Sequence, residues 1–216
     1  MIQQNKMSDI LIIDCQYFGS INYINTLFKF SNIIIEQYES YQKMSFRNRC
    51  MIAGSNGVIN LSVPLENGRS QKGLMKDVKI SHSTNWRVQH WRSIESAYSR
   101  SPYFEFYRDG IWELLEKAEI FLLDLNLKIL DWLKKLLKLQ ATISLTDDYR
   151  KIYSNDIIDM RNHFLPKNLQ IHHLGFHYTQ VFEDRNGFIP NLSILDLLFC
   201  CGPDANSLLI DNKSTI

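Results

Sequence analysis

The sequence predicts an α/β fold in which a small mixed sheet from the first third of the chain is covered by helices. Two strand-like apolar runs flank a helix-like segment near the N-terminus, and an Asn-Gly turn joins two further strand-like runs. The second half of the chain is mostly helical in pattern. With 216 residues and 45% hydrophobic content, the chain can bury a sizeable core. We therefore expect one domain over residues 1–216, with an ordered core at about 9–203.

The N-terminal elements are typical of a βαβ unit. Residues 9–14 form a short apolar run that indicates a buried strand, and Gly19 interrupts the chain before a helix-like segment at 21–30. A second apolar run follows at 33–35. Strand, helix and strand over this distance favour a parallel pair with a right-handed crossover. The helix would then lie over one face of the sheet.

A hairpin is the clearest local signal in the sequence. Residues 48–53 and 58–63 are strand-like and flank Gly-Ser-Asn-Gly at 54–57. Asn-Gly between two such runs is typical of a tight hairpin turn. A polar loop is expected at 66–76 and a further short strand at 78–80.

The second half of the chain is predicted to be mostly helical. Helices are expected at residues 85–99, 103–118, 122–137 and 193–201. Ser101 and Pro102 are typical of an N-cap and a first helical residue, and Ser193 with Asp196 has the spacing of a capping box. Residues 142–190 show no clear pattern. The polar residues after Pro203 are expected to fray.

Composition excludes several classes of protein. A net charge of +1 argues against indiscriminate binding to nucleic acid or anionic membranes. The most apolar segment, residues 121–139, contains six charged side chains, so no membrane span is expected. The four cysteines form no C-x-x-C pair and indicate reduced thiols. These features predict a cytoplasmic protein, and no motif identifies a cofactor or a metal.

Three stretches carry a resemblance to a known family. They are YESYQKMSFRNRCMI at 38–52 with the following Asn-Gly and LSVP, the segment 85–107 containing HWRSI and SPYFEFY, and GFIPNLS at 187–193. Together they are similar to the WbqC-like family over about residues 17–203. That family often has a proline after the aromatic residue of its first strand-to-helix turn, where this chain has Gly19. The change is expected to loosen or reshape the turn.

The resemblance implies a bacterial protein associated with surface-polysaccharide gene clusters, including O-antigen clusters, and it assigns no catalytic residues. We accordingly expect an enzyme that acts on a nucleotide- or lipid-linked sugar in this biosynthesis. The alternative is a noncatalytic binding or scaffold protein of the same pathway, and a nucleic-acid-binding accessory protein is less favoured. The expected partners are a nucleotide sugar or polyprenyl phosphate and glycan-pathway proteins. The sequence leaves open whether the chain is catalytic.

A cationic strip is the first candidate binding site. If residues 41–53 are extended, alternate side chains share one face of the strand. That face carries the three cations Lys43, Arg47 and Arg49. Such a strip suits the diphosphate of a sugar donor. In the equally weighted alternative, the face is solvated and the arginines pair with Glu36 or Glu39. Asn48 on the opposite face would hold the hairpin in register or orient a ligand.

The predicted helix at 85–99 supplies the second candidate. His90 lies at the edge of its apolar face and is a candidate proton carrier, with Glu39 as a second catalytic group and Tyr98 lining the pocket. The favoured alternative for such a histidine is a packed ring bonded to the backbone. Ser93 lies nearby, but the absence of G-x-S-x-G argues against a serine hydrolase.

Two further candidates are weaker. His173 and His177 have a metal-compatible spacing and His172 adjoins them, but a glycine interrupts the pair, so surface histidines are favoured over a metal site. The turn at residues 15–20 could bind an anion on free backbone N–H groups. Cys15 in that turn is expected to be a buried, inert thiol rather than a nucleophile.

Overall fold

The computed structural model describes residues 9–168 and 175–211. The strands in these ranges are β1 (Ile10–Ile13), β2 (Asn32–Ile35), β3 (Arg49–Gly54), β4 (Gly57–Ser62), β5 (Thr142–Leu145) and β6 (Ile157–Asp159). The helices are α1 (Ile21–Leu27), α2 (Trp86–Tyr98), α3 (Phe104–Glu116), α4 (Leu122–Leu136), α5 (Glu183–Asn186), α6 (Ile194–Cys201) and α7 (Asp204–Asp211). The α/β class, the N-terminal βαβ unit and the hairpin are all confirmed.

A parallel sheet with the strand order β5-β2-β1-β6 forms the centre of the fold. Strand β1 lies between β2 and β6, so that Leu11 is paired with both Ile33 and Ile158. The side chains of β1 are almost completely buried, as expected for the apolar run of an inner parallel strand. The chain adds β2 and then β5 on one side of β1, and it adds β6 on the other side. The order in which strands are added therefore reverses between β1 and β6, and the site described below lies at that point.

The hairpin forms a separate two-stranded sheet and does not join the parallel sheet. Gly54 pairs with Gly57, and Gly57 has a φ of 108°, which the tight turn requires. The predicted single mixed sheet is therefore two sheets. The physical reason is that other groups occupy β3: Ser193 N donates to Met51 O at 2.7 Å, and Ala53 N donates to the hydroxyl of Tyr98.

Two strands of the parallel sheet were not predicted. Strands β5 and β6 lie in the segment that showed no pattern, and both are edge strands. The side chains of β5 are mostly exposed, so the strand carries no continuous apolar signal. The strand expected at residues 78–80 is present only as isolated bridges of Lys79 to Phe121 and of Ile80 to Leu65.

The long helices are confirmed to within a few residues, but one cap and one terminus differ. Ser101 does not cap α3, because its hydroxyl donates to the carbonyl of Tyr98 at 2.7 Å. Ser193 does cap α6 by accepting from Leu195 N. The prediction that the chain frays after Pro203 is wrong for Asp204–Asp211, since α7 forms there and buries Ala205 and Leu209.

The N-termini of α1 and α6 meet head to head. Ile21 N donates to Leu192 O at 3.0 Å, and Ile194 N donates to Gly19 O at 2.9 Å. The hydroxyl of Ser193 donates to the carbonyl of Phe18 at 2.7 Å. The turn after β1 is thereby fixed to residues 192–194.

We expect Gly19→Ala to destabilise the fold by about 1–3 kcal/mol. A Cβ atom at Gly19 would lie 2.5 Å from Tyr23 Cδ1. The ring of Tyr23 is buried and its hydroxyl donates to Asp14 O, so it cannot turn aside without losing that bond. Urea denaturation measures the effect, with Gly73→Ala as the control, because a Cβ there meets only the flexible end of Gln71. Equal midpoints for the two variants would contradict the close approach at Gly19.

Candidate functional site

Charged and polar side chains gather at the carboxyl edge of the parallel sheet. Asp14 follows β1, Glu36 follows β2, and Arg161 and Asn162 follow β6. Carboxyl ends of parallel strands meet at one edge, and ligands of open α/β sheets bind where the strand order reverses. In this fold, that point lies between β1 and β6. This edge of the sheet is therefore a candidate ligand-binding site.

Arg47 is the centre of one half of this cluster and is completely buried. Its Nε donates to Glu39 Oε1 at 2.8 Å, and its Nη2 donates to the same oxygen and to Asn162 Oδ1 at 2.9 Å. The same Nη2 lies 3.7 Å from Asp14 Oδ1. Its Nη1 has no hydrogen-bond partner among the described residues. One guanidinium thus joins the segments that follow β1, β2 and β6.

Arg161 is the centre of the other half. It contacts Glu36 Oε2 at 3.2 Å and Asp159 Oδ2 at 2.6 Å. Its guanidinium lies over the rings of Tyr149 and Tyr153, at 5.4 and 5.0 Å from their centroids. These contacts hold the loops that follow β5 and β6 against the end of β2.

The cluster borders a crevice of about 280 Å³. The residues that line it are Glu39, Tyr149, Asp159, Arg161 and Asn162. The pKa of Glu39 is raised to about 7, chiefly because the carboxyl group is buried, while Arg47 lowers it and Asp14 raises it. A carboxyl group with this pKa can exchange a proton near neutral pH, which is the property expected of an acid-base catalyst.

A second and larger depression, the cationic groove, has a volume of about 760 Å³. Its lining includes Tyr41, Lys43, Asn48, Arg49 and Leu65. The Nε atom of Arg49 is buried and has no hydrogen-bond partner among the described residues. Three of the predicted binding residues, Lys43, Asn48 and Arg49, are therefore brought together here.

The predicted strip of three cations is wrong for Arg47. Residues 43–48 form turns, with Met44 at a φ of 54°, and the strand begins only at Arg49. Because the chain turns at residues 43–48, successive side chains there do not alternate between two faces as they do in a strand. Arg47 points into the protein and pairs with Glu39, as in the alternative interpretation.

Asn48 holds the open end of the hairpin in register. Its Nδ2 donates to Val63 O at 2.9 Å, and its Oδ1 accepts from the hydroxyl of Tyr41 at 2.8 Å. Val63 N returns a bond to Asn48 O at 2.8 Å. The side chain therefore has a structural task, although it also lines the groove.

His90 is a packed ring, as the favoured alternative proposed. Its Nδ1 lies 2.9 Å from the hydroxyl of Tyr17, and it also bonds to the backbone of Ser62. Burial lowers its pKa to about 4, so the ring is neutral at physiological pH. His90 is not among the residues that line the crevice or the groove. The structure thus does not bring the two predicted catalytic residues, His90 and Glu39, into one pocket.

Tyr98 lies in the core and not in a pocket. Its hydroxyl donates to Asp196 Oδ1 at 2.6 Å and accepts from Ala53 N at 3.0 Å. Tyr178 and Gln180 donate to the other oxygen of Asp196, at 2.6 and 3.0 Å. Burial raises the pKa of this carboxyl group. Tyr98 thus joins α2, β3 and α6, and it is not among the residues that line the crevice or the groove.

At the turn of residues 15–20, several backbone N–H groups already have acceptors within the protein. The N–H groups of Tyr17 and Ile21 donate to Phe46 O and Leu192 O, and that of Tyr23 donates to the hydroxyl of Ser20, so these three are not free to bind an anion. Cys15 is completely buried, and burial raises the pKa of its thiol, in agreement with an inert cysteine.

No group of three or more metal-ligating side chains occurs in the described part of the chain. His177 is exposed and pairs with Glu183 at 2.7 Å. His172 and His173 lie outside the described residues.

Several residues of the crevice, and of the charged cluster that borders it, were not found from the sequence. Asp14 and Glu36 directly follow the two apolar runs that predicted a parallel pair, and this position was a usable signal. Tyr149, Arg161 and Asn162 come from a segment whose strands are too short and exposed to be recognised.

A protein-family model matches most of the chain. The model described as the WbqC-like protein family matches residues 15–168 and 153–208, which include the crevice and the groove. The chain belongs to the WbqC-like protein family. The uncharacterized protein Rv1507c of Mycobacterium tuberculosis is 24% identical over 231 residues, covering 94% of this chain and 98% of that relative. No solved structure matches the chain. None of the described helices has the length and apolarity to cross a bilayer.

We expect Arg47→Met and Arg49→Met to separate a structural from a surface arginine. Removing Arg47 leaves two buried carboxylates, Glu39 and Asp14, without their cation, which should cost about 3–5 kcal/mol of stability. Arg49 has no acidic partner within salt-bridge distance in the described ranges 9–168 and 175–211, so its loss should change stability by less than about 1 kcal/mol. Urea denaturation measures both. Comparable destabilisation by the two variants would show that Arg47 is not the centre of the cluster.

We expect His90 to make the protein sensitive to acid. Its pKa in the folded protein, about 4, lies below its ordinary value of 6.5, so the unfolded chain takes up the proton first as the pH falls. The contribution of the neutral ring to the free energy of unfolding is fully present above the ordinary pKa and falls as the pH drops toward the folded-state pKa. At pH 5 this loss amounts to about 2 kcal/mol. His90→Gln should remove this part of the pH dependence. Identical slopes of unfolding free energy against pH in both proteins would refute the assignment.

Proposed function

We propose that this WbqC-like protein is a cytoplasmic enzyme of bacterial surface-polysaccharide biosynthesis that acts on a nucleotide- or lipid-linked sugar. In this proposal, Lys43 and Arg49 hold the phosphates in the cationic groove. Arg47, which the sequence placed beside them, instead supports Glu39 from inside the protein.

The buried, unpartnered Nε of Arg49 is the observation that carries this proposal. A buried donor without an acceptor is uncommon in folded proteins and favours a site that a ligand or water completes. Phosphate oxygens match the fork of a guanidinium, and the nearby Lys43 adds a point charge. The groove also falls within the usual range of about 300–1,000 Å³ for small-molecule sites. Tyr41 and Leu65 give it apolar walls for a base or a prenyl chain.

Glu39 is the better supported of the two proposed catalytic groups. Its pKa of about 7 allows it to give or take a proton, and it lines an open crevice. His90, with a pKa of about 4 and bonds to Tyr17 and Ser62, can act only as a neutral hydrogen-bonding group.

A noncatalytic binding or scaffold protein of the same pathway is the second candidate. The observation in its favour is the separation of the proposed catalytic pair, since His90 packs against Trp86 and Tyr17 while Glu39 pairs with Arg47. Phosphorus NMR of the protein with UDP-N-acetylglucosamine and with farnesyl diphosphate distinguishes the two. New phosphorus resonances mean turnover and favour an enzyme. Binding without new resonances over hours favours the second candidate.

We expect UDP-N-acetylglucosamine or farnesyl diphosphate to bind in the cationic groove. Calorimetry should show binding to the wild type, and Arg49→Gln or Lys43→Gln should weaken it about tenfold, or 1.4 kcal/mol, through loss of a charged contact. Arg92→Gln is the matched control, because Arg92 is an exposed arginine of α2 that does not line the groove. If neither probe binds, or if the control weakens binding equally, the phosphate site is wrong.

A further inference from the structure

The crevice at the carboxyl edge of the sheet differs chemically from the cationic groove. On one wall of the crevice, the charge of Asp159 is balanced by that of Arg161, which donates to both carboxylate oxygens at 2.6 to 3.1 Å. The remaining donors of Arg161 contact Glu36 and the carbonyls of Arg150 and Lys151. This arginine is therefore committed to the protein and is not free to hold an anion.

Two other groups that line the crevice keep polar atoms without protein partners. Glu39 is only 5% exposed, and its Oε1 accepts both bonds from Arg47, whereas its Oε2 has no hydrogen bond among the described residues. Asn162 uses Oδ1 to accept from Arg47 and its backbone N–H to donate to Asp14, and its Nδ2 has no such bond in the same part of the chain. A carboxyl oxygen of a buried side chain and an amide N–H that lines the same crevice can both bond to a polar ligand.

The charges around the crevice select against an anionic ligand. Four acidic side chains and two arginines make up the surrounding cluster, namely Asp14, Glu36, Glu39, Asp159, Arg47 and Arg161. The excess of acidic groups, in a site where both arginines are already paired, repels phosphate and carboxylate groups. A metal ion is also disfavoured, since the described residues contain no suitable ligand group. A neutral ligand rich in hydroxyl groups fits best.

The size and shape of the crevice further limit the ligands that it can bind. The volume of about 280 Å³ lies just below the usual range of about 300–1,000 Å³ for small-molecule sites, and it suits one sugar ring better than a nucleotide. Tyr149 lines the crevice with Arg161 over its ring, and 54% of the residue stays exposed. An accessible aromatic ring next to hydrogen-bonding groups offers an apolar surface to the C–H face of a sugar.

We propose that this crevice binds a single neutral pyranose ring, with Glu39 Oε2 and Asn162 Nδ2 bonded to its hydroxyl groups and Tyr149 against its face. The raised pKa of Glu39 lets the carboxyl group either donate to or accept from a hydroxyl near neutral pH. The inference does not rest on the proposed phosphate site, because the two sites share no lining residue.

The test is NMR titration of the full chain with glucose, galactose, mannose, rhamnose and N-acetylglucosamine. At least one of these sugars should shift the side-chain amide resonances of Asn162 and show saturation transfer from the protein. Tyr149→Ala should weaken that binding about tenfold or more, while Tyr149→Phe, which keeps the ring, should stay within about twofold of the wild type. The thermal midpoint of Tyr149→Phe should match the wild type, and that of Tyr149→Ala should fall only slightly, because the lost contact of Arg161 with the ring lies at an exposed side chain.

Further variants separate this proposal from the phosphate site. Asn162→Asp keeps the acceptor for Arg47 but replaces the free N–H with an oxygen, so it should weaken sugar binding. Arg49→Gln should leave it unchanged and should weaken only the binding of UDP-N-acetylglucosamine. The proposal is overturned if no sugar shifts the Asn162 amide, or if Tyr149→Ala binds as well as Tyr149→Phe. Tighter binding of glucose 1-phosphate than of glucose in the crevice would also overturn it.

Discussion

The buried guanidinium of Arg47 is the interaction on which the carboxyl edge of the sheet depends. It bonds to Glu39 from the segment after β2 and to Asn162 from the segment after β6, and it lies near Asp14 at the end of β1. A buried charge is stable only when it is paired and hydrogen bonded. The side chain of Arg47 therefore holds the three loops that follow these strands to one another. Its position determines the shape of the crevice.

The pairing also determines the chemistry of the edge. Arg47 binds one oxygen of Glu39 and leaves the other free, while burial and Asp14 favour the neutral form of the carboxyl group. The cationic groove, by contrast, has Lys43 and Arg49 among its lining residues and no carboxylate. Two depressions of opposite electrostatic character thus lie on the same chain. This division suits a ligand class in which a charged phosphate and an uncharged sugar occur together.

Local signals in the sequence were sufficient for the N-terminal βαβ unit and for the hairpin. Consecutive isoleucines gave β1 and β2, and the Asn-Gly turn gave the hairpin, because both patterns depend on residues that are close in the chain. The edge strands β5 and β6 could not be recognised, since exposed strands of three or four residues lack an apolar pattern. The direction of Arg47 was missed for a related reason: the turn at Met44 interrupts the alternation that places side chains on faces. Such tertiary pairings need knowledge of which strands become neighbours.

The head-to-head contact between the first helix and α6 has a consequence for biosynthesis. The acceptor for Ile21 N and the hydroxyl that reaches Phe18 are supplied by Leu192 and Ser193, more than 170 positions later in the chain. In a nascent polypeptide on the ribosome, the turn after β1 therefore lacks these partners until residues 192 and 193 have been translated. Contacts of such long sequence separation slow folding and prolong the exposure of apolar surface. A chain that terminates before Leu192 would lack the bonds to Ile21 and Phe18. Its N-terminal half would then be incompletely packed and would be a substrate for chaperones and proteases.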